Sequence, residues 1–417
     1  MTSRASLPSP PVIASAAEAI DAARSFARAI APGASARDRD PRPPLAELEI
    51  LSASGLLGLT APRELGGADV SAETLAQVFQ IVAAADPAIA QLPHSHFVFL
   101  NAVREDGTPS QKRLFFGEAL AGALFGNAQA ERGSASALDL RTRLNAAPGG
   151  YRLNGSKHYC TGAFAAQWIP VAAIDDAGRL ALAYVPRQTP GVEALTDWNA
   201  MGQRVTFSGT VHLRDVVVPE EHVVAHWRLF ERPSLFHPFA QLLHAAIDVG
   251  IAENALTDAR STVRSRKRSR LGAPAGNPSE DPLLILRFGQ LLSKFHAAEA
   301  LLYRAARLLD DAAPQVDETN AAEGAVAVSE AKAFAEEAAI EISGELFALA
   351  GSSSTDNDLN LHRHWRNART HTAHDANQWR YHSAGNYFLN GIAPGKPARQ
   401  LANEERTSSV PRTTSGI

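Results

Sequence analysis

A chain of 417 residues exceeds the size at which one hydrophobic core keeps growing, so two or three packed modules are expected. With 45% hydrophobic and 20% charged residues, a net charge of −4 and a pI near 6.4, it reads as a globular protein with no field for gathering nucleic acid or an anionic membrane surface. Its single cysteine, Cys160, excludes intrachain disulfides and a cysteine-built zinc site and suits a reducing, cytoplasmic setting.

The opening segment carries no uninterrupted apolar core of signal-peptide length, and no stretch reaches the roughly 18 to 20 apolar residues of a membrane span, so neither export nor a bilayer crossing is expected. Residues 15–121 read as helices with short loops, because AAEAIDAARSFARAIA, PLAELEILSASGLLGL and AETLAQVFQIVAAAD carry apolar residues three and four apart. Between the last two, APRELGGADVS forces a loop, and Ser71 is placed to cap the helix that follows. Over 122–232 short apolar runs alternate with glycine and proline, the texture of a small barrel or sandwich.

Helical periodicity returns over 233–395. One stripe runs through Leu284, Phe288, Leu291, Phe295, Ala298, Leu302, Ala305 and Leu308. Another runs through Val328, Ala331, Ala335, Ala338, Ile342, Leu346 and Leu349, with Glu330, Glu336, Glu337, Glu341 and Glu345 expected to face away. These two long helices and two flanking ones, near 237–268 and 370–390, predict an antiparallel bundle. The aperiodic stretch 396–417 is expected to be a mobile tail.

Four segments carry a family resemblance over about residues 15 to 392: GLLGLTAPRELGGADVS, YRLNGSKHYCTGA, WNAMGQRVTFSGTVHLRDVVVP and RKRSRLG. In this order they resemble the acyl-CoA dehydrogenase superfamily. The resemblance implies an α+β fold with an N-terminal α-helical domain, a central β-barrel and a C-terminal four-helix bundle. Where the dehydrogenases of the family place a catalytic glutamate, this chain has Asp375 in RNARTHTAHDANQW, one methylene shorter and ill placed for proton abstraction. Instead THTAHD, together with PHSHF, GNAQAERG and DWNAMGQRVTFSG, is similar to the flavin-dependent monooxygenase branch of dibenzothiophene monooxygenases and sulfur-acquisition oxidoreductases.

That branch implies reduced FMN from a separate flavin reductase, O2, and a small sulfide, sulfoxide or sulfone as substrate. The alternatives are an FAD-dependent acyl-CoA dehydrogenase, or a catalytically idle member that binds a ligand. Such a monooxygenase forms a peroxide at flavin carbon 4a and must keep it protonated, a task that suits histidine. His374 is the expected donor, with His96 as the opposing wall and His371 one helical turn away. For each, a surface or satisfied core histidine is the bland alternative. His362 and His364 could mimic a metal pair, but their spacing of two puts them on different helical faces.

The resemblance assigns the flavin edge to Asn127, Gln129, Cys160 and Thr161, with strand packing as the alternative for Thr161 and core packing for Cys160. Trp198 is expected to close over the ring system, and Thr206 and Ser208 to reach flavin or its phosphate. Arg268, on the flavin of a neighbouring subunit, and Arg369 are the expected phosphate clamps. A homotetramer, a dimer of dimers built on the C-terminal helices, follows from the same resemblance.

Overall fold

The computed structural model describes residues 10–133, 139–266 and 277–394; Arg268 and the expected tail lie outside the described residues. The first part is helical: α1 (Ala16–Ile30), α2 (Ala34–Arg39), α3 (Leu45–Ala53), α4 (Ala72–Ala85), α5 (Pro87–Gln91), α6 (His94–Asp106) and α7 (Pro109–Leu120). Local chemistry sets these boundaries. The Ser15 and Ser71 hydroxyls accept from backbone N–H groups at the starts of α1 and α4, and Thr108 forms a reciprocal capping box with Gln111 before α7. Asp86 ends α4 and caps α5, whose first residue is Pro87.

The middle part is one seven-stranded sheet: β1 (Arg143–Ala147), β2 (Gly150–Cys160), β3 (Trp168–Asp175), β4 (Leu180–Pro186), β5 (Val192–Ala194), β6 (Gly209–Val218) and β7 (Val223–Val224). Its order is β5-β6-β2-β1-β3-β4-β7, antiparallel except for β1 beside β3. Among the described residues the strand order does not close on itself as the expected barrel would, because β5 and β7, of three and two residues, stand at opposite edges. Strands β3 and β4 are buried on both faces, which explains their unbroken apolar runs. One face packs on a cluster in which Phe115 stacks on Tyr184 at 4.4 Å, and the Tyr184 hydroxyl donates to the Phe99 carbonyl at 2.7 Å, fixing α6 against the sheet.

The C-terminal part has three long helices, α8 (Phe236–Ser265), α9 (Pro282–Ala312) and α10 (Glu318–Ala350), and two short ones, α11 (Arg363–Thr372) and α12 (Asn377–Asn390). The fourth position of the expected bundle is thus split between α11 and α12. On α9 and α10 the predicted stripes are inward, with Phe288 and Leu308 partly buried at the margin. Glu336 departs from the prediction. It is buried rather than outward, because Lys332 lies one turn before it on the same inner face and bonds it at 2.5 Å.

Candidate active site between the sheet and the helical bundle

Helix α11 is docked on the sheet by its first half and lends its second half to a cleft. Asn367 Oδ1 accepts the backbone N–H of Gln203 at 2.7 Å, and a Cβ on Gly202 would lie 2.0 Å from the Arg366 carbonyl oxygen. Only glycine permits this approach. Residues four and seven beyond Asn367 share its side of the α11 turn, so His371, and His374 just past the helix end, are carried toward α8.

There they meet a cluster of imidazoles. His244 of α8 lies between His94, with ring centroids 3.9 Å apart, and His374, at 4.6 Å, and is tilted by about 30° to each, 32° and 33°. His371 meets His244 edge to edge, Nε2 to Nδ1 at 3.1 Å, and sets its own Nδ1 2.5 Å from Asp248 Oδ1. Gln91, closing α5, places its Oε1 3.1 Å from the same Nε2. Asp248 and Lys332 Nζ are 3.5 Å apart, so a buried ionic chain runs from His371 through Asp248 and Lys332 to Glu336.

Burial keeps the stacked rings neutral. It pushes the His94 imidazole down to about 3, against the Ala240 carbonyl bonded to its Nε2, and drives His244 well below the usual range with help from its histidine neighbours. The protein packed round His374, with Lys332 and His371 adding positive charge, pushes it to about 4. His374 is nonetheless exposed to solvent, unlike His94 and His244. Asp375 does not enter the cluster; Arg380 holds it, and Arg380 also donates to Gln241 at 2.7 Å.

On the sheet side, the hydroxyls of Thr161, Ser208 and Thr206 form a line, 2.8 Å and 2.9 Å apart. Beside them Gln203 and Phe207 adopt left-handed backbone, φ 50° and 42°, unusual for such side chains and found where a function over-determines the chain. Gly162 faces Leu92, next to Gln91, which links this line to the histidine cluster.

The acyl-CoA dehydrogenase N-terminal, middle and C-terminal domain families match residues 15–123, 128–216 and 242–379. A dibenzothiophene monooxygenase of Rhodococcus erythropolis is 34% identical over 86% of this chain and 90% of its own. The chain belongs to the acyl-CoA dehydrogenase family, in its flavin-dependent monooxygenase branch. A probable FMNH2-dependent monooxygenase, SfnC, of Pseudomonas putida is 32% identical over 90% of this chain and 96% of its own. The FMN-bound crystal structure of TdsC from Paenibacillus sp. A11-2 superposes with a TM-score of 0.86 at 30% identity, covering 90% of this chain and 98% of that one.

Among the described residues, the Asn127 Oδ1, both amide ends of Gln203, and the Thr370 and Thr372 hydroxyls are buried without hydrogen-bond partners, an arrangement that costs stability. Trp198 sits at the rim, its indole N–H donating to the Gln203 carbonyl at 3.0 Å and its ring edge-on to Tyr159.

Other expected residues lie elsewhere. His96 is fully buried in the core, Nε2 at 2.7 Å from the Leu57 carbonyl and Nδ1 accepting from Phe125 N–H. A spacing of two puts His94 and His96 on opposite faces of α6, and His94 is the one in the cleft. The Cys160 side chain belongs to the sheet-core cluster, where burial pushes its thiol up to about 12, so it stays protonated. Gln129 is exposed, and its carbonyl accepts from Lys157 at 3.2 Å. Arg369 is exposed about 160° round α11 from His371. His244, Asp248, Lys332 and Gln91 were not singled out from sequence; the signal for the first three was a polar pair at i, i+4 inside an apolar run, LLHAAIDVG and AKAFAE.

Proposed function

We propose that this protein is a monooxygenase that binds reduced FMN, delivered by a separate reductase, and uses O2 to oxidise a small sulfide, sulfoxide or sulfone. The observation that carries the reading is the histidine stack: imidazole rather than carboxylate lines the cleft, and Asp375 is tied to Arg380. Bound reduced flavin supplies two electrons, so that one oxygen atom goes to sulfur and the other leaves as water. The chain's residues bind and protonate. Asn127, Thr161, Ser208, Thr206 and Gln203 present hydrogen-bonding groups to the ring edge, and Trp198 covers it. The neutral rings of His374 and His244 offer N–H groups to oxygen, His374 from the open side of the cleft and His244 from its buried wall.

The names and cofactors of the relatives support FMN and a sulfur compound. Arg268, on a neighbouring subunit, and Arg369 remain the proposed phosphate clamps. A homotetramer and a cytoplasmic location belong to the same reading; no helix among the described residues is long and apolar enough to cross a membrane. The test is a titration comparing reduced FMN, oxidised FMN and FAD. Tightest binding of reduced FMN, with no bleaching by an acyl-CoA, is expected. A protein that holds FAD and is bleached by an acyl-CoA would instead be a dehydrogenase using Asp375 or another carboxylate.

A further inference from the structure

We propose that a small apolar cavity among the N-terminal helices holds dioxygen beside the cleft, in the space bounded by Val78 and Val82 of α4, Ala90 of α5, Pro93 just before α6 and Phe97 within it. Its use rests on the proposed monooxygenase reading, but its existence rests on geometry. The lining side chains are buried, no polar atom faces the space, and there is room for little more than one small molecule. Leu57 belongs to the same wall, and its carbonyl is already taken by His96 Nε2 at 2.7 Å. Phe79 meets Phe97 edge-on with ring centroids 5.6 Å apart, which fixes the two rings that frame the space.

Chemistry selects the occupant. Water needs several polar partners, and a cavity walled by carbon offers none, so it stays dry and takes apolar guests of the size of xenon. Of the reactants in the proposed reaction only O2 is both apolar and that small. Flavin is far larger, a sulfoxide or sulfone would bury its oxygens unpaired, and a sulfide carries two carbon substituents besides its sulfur. Position gives the site its purpose. Ala90 and Pro93 face the cavity, whereas their successors Gln91 and His94 face the cleft: Gln91 Oε1 lies 3.1 Å from His371 Nε2, and the His94 ring stacks 3.9 Å from His244. Consecutive residues of a helical turn point about 100° apart, so the stretch from Ala90 to His94 shows one side to each space and is the partition between them. Ala90 contributes a single methyl group to that partition and Pro93 a compact ring, so it is thin, and side-chain fluctuations suffice to pass a diatomic molecule.

The test pressurises crystals of the full, flavin-free protein with xenon. Xenon is expected between Val82 and Phe97 in wild type, and Val82→Phe, which fills the space, is expected to lose it. In solution under oxygen pressure, the methyl signals of Leu57, Val78 and Val82 should relax faster than those of Leu213 and Val216, equally buried in the sheet core. A cavity without xenon in wild type, or no excess relaxation, overturns the inference whether or not any variant folds. Density for a soaked sulfide in place of xenon would mark a substrate subsite and overturn it as well. With reduced FMN bound, reoxidation by O2 in stopped flow is expected to be about fivefold slower in Val82→Phe, with FMN affinity and the KM for a sulfide kept. Equal reoxidation rates would contradict the oxygen-holding role. If wild type oxygenates no sulfur compound, the functional reading fails while xenon and methyl relaxation still decide whether the cavity takes gas.

Discussion

His94 and His96 differ by two positions and by everything else. One stacks in the cleft; the other holds Leu57 and Phe125 in the core. His96→Ala removes a buried ring and leaves those backbone groups unpaired, so a loss of about 3 kcal/mol in chemical unfolding is expected, with the chemistry of the remaining folded protein intact. His94→Ala also empties a buried site and frees the Ala240 carbonyl, so a similar loss in unfolding is expected, but oxygenation by the folded protein should fall at least tenfold in steady-state assays. Equal effects of the two on oxygenation would contradict this division. Periodicity could have made the distinction, since a spacing of two always splits a helical pair, but it could not say which member faces which side. That depends on the α6–sheet packing, which no local pattern encodes.

At the scale of elements, α11 is a hinge between sheet and bundle. Its docking depends on Gly202, and Gly202→Ala would drive a methyl group into the Arg366 carbonyl. The expected outcome is a shift of α11 costing about 1–3 kcal/mol and a weakened affinity for FMN, measured by fluorescence quenching. Unaltered FMN affinity would show that α11 does not shape the site. The helical stripes on α9 and α10 were legible because apolar residues repeat at 3.6. The buried ionic chain was not, because Glu336 reads as one of several outward glutamates until Lys332 and Asp248 are seen to surround it. The split between α11 and α12 was equally hidden: Ala373 to Ala376 contains no proline or glycine, and the break comes instead where Asp375 caps Ala376 N–H and pairs with Arg380.

For the whole molecule, several buried neutral imidazoles set the response to acid. His96 and His226 are pushed down to about 4 and His94 to about 3 by burial, from an unfolded value near 6.5. Because the folded values are depressed, the unfolded chain takes up more protons below pH 6.5, so stability falls as pH drops through that window. Each such ring costs about 2 kcal/mol at pH 5 relative to pH 7. Glu253 and Glu336, raised by burial, oppose the trend in part. The urea midpoint should therefore fall between pH 7 and pH 5, and a flat midpoint would contradict the neutral-histidine account. The fold order was legible from the switch between helical and strand periods; the open sheet was not, because strand runs say nothing of whether the edges meet. Exposed apolar side chains on α9 and α12, among them Leu283, Phe388 and Leu389, fit the proposed assembly of several subunits.

The central claim is that imidazoles of this cleft serve oxygen transfer from a bound reduced flavin. It is tested most directly by supplying reduced FMN and isotopically labelled O2 with a small sulfide or sulfone to wild type and to His374→Ala. The account predicts one labelled oxygen atom in the wild-type product, and in the variant a loss of about a hundredfold or more in labelled product while FMN binding is retained. Labelled product formed equally well by His374→Ala would contradict it.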